Sequence, residues 1–165
     1  MYKKFFAFHL LFGVVIFYLW YYLILRNNEA GASYKAILQI ALIIAIFAGY
    51  AVAGMICRKC KKANMFIALA LTILAVYELQ ILYVSLTGIN SFIIPLYSIN
   101  GSWHTLSRSV IGIISIKNPA IEQDPELMGA IHAMAGLLPP MFTVLGMCIG
   151  NKMKSRQTEQ EKSAV

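Results

Sequence analysis

Apolar positions along this chain fall into long unbroken runs, not into the alternating or three-and-four spacing of a surface element. Four runs stand out: Phe5 to Leu25, Ala36 to Cys57, Met65 to Leu86 and Leu127 to Ile149. Each approaches or exceeds the roughly 20 residues that a helix needs to cross a bilayer core of about 30 Å. Inside lipid the backbone must satisfy its own hydrogen bonds, so each run is expected to be helical. Charged residues and turn formers bound them: Lys3-Lys4 and Arg26, Lys35 and Arg58, Thr87-Gly88, then Asp124-Pro125-Glu126 and Gly150-Asn151-Lys152. The acids before the fourth run suit the positive end of a helix dipole. The expected fold class is all-α: a polytopic, four-transmembrane-helix bundle forming one membrane domain over 1–150, with a polar, solvated cytoplasmic tail over 151–165.

The first run has a basic start and is followed by Ala30-Gly31-Ala32, an A-x-A form. A signal peptide's apolar core spans about 7–15 residues. This run is longer and ends in bulky Trp20, Tyr21 and Tyr22, so a retained helix is the expectation.

The connection over 88–126 breaks the short-loop rhythm, since structureless loops beyond about 12–15 residues are uncommon. Within it Trp103, Leu106, Val110 and Ile113 recur at helical spacing, with His104, Thr105, Ser107, Arg108 and Ser109 elsewhere on the wheel. Asn100-Gly101-Ser102 offers a turn and an N-cap, and Asn118-Pro119 a stop. The spacing predicts an amphipathic helix over about 103–116, lying on the extracytoplasmic face or capping the bundle and offering Trp103, Leu106, Val110 and Ile113 to a partner. A re-entrant hairpin is the alternative, because Ile89 to Ile99 is also apolar. Asn100-Gly101-Ser102 matches a glycosylation acceptor as well, but the turn is the simpler reading.

Composition agrees with the runs. Of 165 residues, 59% are hydrophobic and 13% charged, about half the charged share of a soluble domain. Mean hydropathy is +0.69. An ordinary soluble enzyme, a disordered chain and a nucleic-acid-binding domain are thereby excluded, despite a net charge of +7. The charge is instead a topology signal. Ten of the 14 basic residues (Lys3, Lys4, Arg58, Lys59, Lys61, Lys62, Lys152, Lys154, Arg156, Lys162) fall on one predicted side. Arg26, Lys35, Arg108 and Lys117 fall on the other. Both termini are expected in the cytoplasm, and the Ile, Lys and aromatic richness fits a bacterial cytoplasmic membrane protein. Arg58 to Lys62 would meet anionic lipid.

Candidate chemistry is sparse. Glu78 sits slightly past the middle of the third run, where a charged carboxylate costs roughly 2.5–3.5 kcal/mol on insertion scales. Helix geometry places Leu71, Ala75, Leu82 and Ser85 on its face, and Gln80 about 200° away on a second edge with Tyr77 and Thr87. His132, in the fourth run, lies about 9 Å outward of that run's centre. A Glu78–His132 pair would satisfy both groups and offer a proton relay. Pro139-Pro140 is expected to kink the fourth helix and free carbonyls near Ala135 and Gly136. A stripe of Ala41, Ala45, Gly49 and Ala53, and Gly129, Ala133, Gly146 and Gly150, mark expected helix contacts.

Cys57-Arg58-Lys59-Cys60 has the form of a redox pair or half a zinc site, with Cys148 the only other cysteine. Neighbouring cations would favour thiolates. A basic end to the second helix with incidental cysteines is the preferred reading; lipidation is an alternative in a eukaryote. No cofactor or metal is expected, no phosphate loop, zinc-protease or serine-hydrolase motif is present, and the chain reads as a non-enzyme. The function expected is contact with a membrane partner, in an accessory, regulatory or scaffold role. The partners expected are the lipid bilayer and another membrane protein or a second copy, with no nucleic acid. The alternatives are a small transporter using Glu78 and His132, and a thiol-redox protein using Cys57, Cys60 and Cys148.

Overall fold

The computed structural model describes residues 2–27, 31–87 and 101–163, and among these every regular element is helical. Helix α1 (Tyr2–Trp20) runs into a π-helical turn, Tyr21–Leu25, closed by Arg26 N–H donating to the Tyr21 carbonyl at 2.9 Å. Helices α2 (Ala32–Ile56) and α3 (Lys62–Thr87) follow, then the shorter α4 (Gly101–Ser115), a 3-10 turn (Pro119–Gln123) and the long α5 (Pro125–Ser163). Segments within α1 and its π turn, α2, α3 and α5 are long and apolar enough to cross a membrane. Their outward faces stay apolar: Leu11, Ile37, Ile44, Leu71 and Met134 are all exposed. A helix apolar all round has no polar face to give to water.

The terminal boundaries follow local chemistry. Asp124 Oδ1 accepts from the Glu126 and Leu127 N–H groups at 3.0 Å each, satisfying two of the orphan donors at the start of α5. The polar stretch after Gly150 is helical and exposed over 151–160: α5 continues through it to Ser163. Lys, Met, Gln, Arg and Glu are good helix formers, and an already nucleated helix extends through them at little cost. The expected kink site, Pro139 and Pro140, lies within the continuous helix. Both are buried, the helix runs across them, and Thr143 Oγ1 donates to the Pro139 carbonyl at 2.9 Å.

The core is built by two close approaches. Helices α2 and α5 cross where a methyl group at Gly54 would overlap the Thr143 carbonyl, and one at Gly146 would overlap the Ala51 carbonyl. Phe47 and Phe142 stack on the same interface, centroids 4.1 Å apart. Gly146 and Gly150 therefore do mark a contact, as expected. The Ala41, Ala45, Gly49, Ala53 stripe does not act as a unit. Ala41 and Ala45 are exposed, Gly49 meets the Phe12 ring of α1, and Ala53 is buried. Gly129 and Ala133 are also exposed.

The second approach seats α4. The helix starts within two residues of its expected position, but not on a surface. Every residue from Gly101 to Ser107 is buried, as are Ser109 and Ile111. It packs among α1, α2 and α5. A Cβ at Gly101 would overlap the Gly13 carbonyl of α1, and one at Gly112 would overlap the Gln39 amide of α2. Surface exposure of Trp103 and Leu106 is thus overturned (3% and 0% exposed), while Val110 and Ile113 are half-buried. The apolar stretch Ile89 to Ile99 lies outside the described residues.

Gly146→Ala is expected to destabilise the fold by ~1–3 kcal/mol, because the methyl group meets backbone that cannot move away cheaply. Gly129→Ala has nothing within 4 Å and is expected to gain ~0.5–1 kcal/mol of helix propensity. Thermal unfolding of the purified protein in detergent measures both.

Candidate functional site

One polar residue of α4, Ser102, is held by another helix, while Thr105 Oγ1 and Ser109 Oγ are buried with no hydrogen-bond partner among the described residues. Tyr50 of α2 is fully buried, and its hydroxyl lies 2.6 Å from Nδ1 of His9 on α1 and 2.6 Å from the Ser102 hydroxyl on α4. Three helices therefore meet on one phenol oxygen. A hydroxyl can donate once and accept twice, so one such oxygen serves both neighbours. Ser102, expected as an N-cap, sits inside the helix and spends its hydroxyl on Tyr50. Ser107 Oγ donates to the His104 carbonyl at 3.0 Å. Phe8 and Phe12 surround the Tyr50 ring at 6.1 and 5.8 Å, both edge-on. Tyr50 does not stand out in the sequence, since a tyrosine within an apolar run carries no spacing signal.

Trp103 joins the other side of α4 to α3 and α5. Its indole N–H donates to the His132 carbonyl at 2.8 Å, and its ring lies edge-on to Tyr77 with centroids 5.1 Å apart. The His132 ring is 5.7 Å away. These residues, with Ile73, Leu74 and Gly136, line an apolar cleft of about 250 Å3. His132 is half-buried, and its Nδ1 finds no hydrogen-bond partner among the described residues. The Pro139-Pro140 segment thus lies next to a tryptophan-filled joint, with Gly136 leaving room for the indole.

Glu78 is not part of this cleft. It lies on the exposed side of α3 with Leu71, Leu74, Ala75 and Leu79, and no ion pair joins it to His132 among the described residues. Of the face expected for it, Leu71 and Ala75 are exposed. The side chain of Gln80 lies outside the described residues.

Cys57 is buried one residue past the end of α2, Cys60 is half-buried in the following turn, and Cys148 is exposed on α5. Among the described residues no three His, Cys, Asp or Glu side chains gather into a metal-binding group. Burial pushes the Cys57 thiol up from its ordinary range, and neighbouring Cys60 adds to the rise. For Cys57, burial thus works against the thiolate that adjacent cations were expected to favour.

No protein-family model, curated protein or solved structure matches this chain.

Two measurements check this account. Tyr50→Phe removes the hydrogen bonds of both His9 and Ser102 and is expected to cost ~1–2 kcal/mol in thermal unfolding, with no new cavity to explain it. Maleimide labelling is expected to reach Cys60 before Cys57, with Cys57 requiring a pH above the usual thiol range. Equal rates at neutral pH would contradict the buried placement.

Proposed function

We propose that the protein is an integral membrane protein, with both termini cytoplasmic, that works by contact with another membrane protein. Four apolar helices with apolar outward faces and ten basic residues on one side support residence and orientation. The observation that carries the contact reading is Glu78. It is exposed on the helix with the smallest buried share of the four candidate spans, 17% against 39% for α5. Its neighbours Leu71, Leu74 and Leu79 are each more than half exposed. An ionisable side chain within a span tends to face a protein partner or a wet cavity, because lipid offers it no hydrogen bond.

The occupant that fits is a helix of a different protein, carrying a cation or hydrogen-bond donor at the depth of Glu78. A second copy fits less well. A two-fold contact centred on this face would bring each Glu78 toward its own copy.

A photoreactive amino acid at Leu74 tests this in the native membrane. The expected product is a light-dependent adduct containing a second, different polypeptide, reduced about tenfold by Glu78→Leu, equivalent to ~1.4 kcal/mol. Ile44, exposed on α2, serves as the control position. An adduct of this chain alone, or none above the control, would overturn the reading.

A further inference from the structure

On a different face from Glu78, α1 and its π turn, α2, α4 and α5 enclose a second cavity, of about 560 Å3. Its walls divide by chemistry. Phe17, Ile24, Ile111 and Met128 give an apolar lining. His104 closes one side, edge-on to Trp20 with ring centroids 5.7 Å apart. Three groups on this wall have unused polar capacity. Arg108 is half-buried and makes no ion pair among the described residues. Trp20 Nε1 and Gln39 Oε1 are buried with no hydrogen-bond partner among the described residues.

An unused donor and an unused acceptor, both buried in one cavity wall, are costly unless something meets them. They lie with a guanidinium, which binds phosphate and carboxylate oxygens by paired N–H groups. The π turn contributes Tyr21, Ile24 and Leu25 to the lining, and such turns often occur at functional sites.

We propose that this cavity binds an anionic amphiphile: a phosphodiester lipid whose headgroup carries a hydroxyl. The phosphate meets Arg108 and accepts from the Trp20 indole. The hydroxyl donates to Gln39 Oε1. The apolar wall takes the start of an acyl chain. A free small anion would leave that wall and Gln39 unsatisfied, so the lipid is the better match in chemistry. Basic pockets between membrane helices hold lipid headgroups in this way.

The test uses the full chain reconstituted in vesicles of equal phosphatidylcholine and phosphatidylglycerol, then extracted in mild detergent, with retained lipid read by native mass spectrometry. The wild type is expected to retain phosphatidylglycerol over phosphatidylcholine. Arg108→Gln should lower that retention about tenfold, the loss of one charge-assisted contact, and Arg108→Lys should restore part of it. Met128→Trp fills the cavity without touching Arg108 and should lower retention of both lipids. It also decides the matter if Arg108→Gln fails to match the wild type in thermal unfolding. Equal retention of both lipids by the wild type, or undiminished phosphatidylglycerol on Arg108→Gln or Met128→Trp, would overturn the proposal. So would binding of inorganic phosphate with no lipid retained, which would make the ligand a small anion.

Discussion

The hydroxyl of Tyr50 holds a position on which much of the bundle depends. It lies within hydrogen-bonding distance of His9 on α1 and Ser102 on α4, and all three side chains are fully buried. Without such a group, the Ser102 hydroxyl would join those of Thr105 and Ser109 as a buried polar atom with no partner among the described residues, at a cost of about 1–3 kcal/mol. With it, α4 can enter the bundle, and the absence of side chains at Gly101 and Gly13 lets the two helices come into backbone contact. Hydrogen bond and close approach reinforce each other, since neither geometry survives if the helices move apart.

The insertion of α4 sets the shape of what surrounds it. Trp103 reaches across to α5 and fixes the region just before Pro139-Pro140, so the proline pair sits beside a packed joint. Arg108, about one turn on from His104, is carried to the wall of the larger cavity that Trp20 and Gln39 also line. On the far side α3 packs chiefly on α5 and keeps its other face, with Glu78, directed outward. The molecule therefore offers two distinct chemistries: an acid on an exposed apolar helix face, and a base in a partly enclosed cavity. The first suits a protein helix and the second an anionic lipid, which is why one is read as a contact surface and the other as a ligand site.

Much of the architecture was legible from residues alone. The four long apolar runs correspond to four helices of spanning length, and Asp124 before the last run does cap it. The period of Trp103, Leu106 and Val110 revealed α4 as a helix. The same period misplaced it, because an amphipathic wheel shows that two faces differ and not that the polar face meets water. Here Ser102 meets Tyr50 of α2 and His104 packs on Trp20 of α1, while the Thr105 and Ser109 hydroxyls are buried with no hydrogen-bond partner among the described residues. The small-residue stripe of α2 failed for a related reason: alanine is small enough to permit a close contact but also apolar enough to face outward.

What the sequence by itself determined is set by local rules. Run length, capping, charge placement and turn chemistry each act within a few residues and need no partner to be read. What only the tertiary structure decided is which residues come together across helices: Tyr50 with His9 and Ser102, Trp103 with His132, and Arg108, Trp20 and Gln39 around one cavity, while no ion pair joins Glu78 and His132 among the described residues. The reason is physical. A helix that is apolar nearly all round has no sequence-encoded direction to turn, so its rotation is fixed by glycine contacts and single polar atoms distant in the chain.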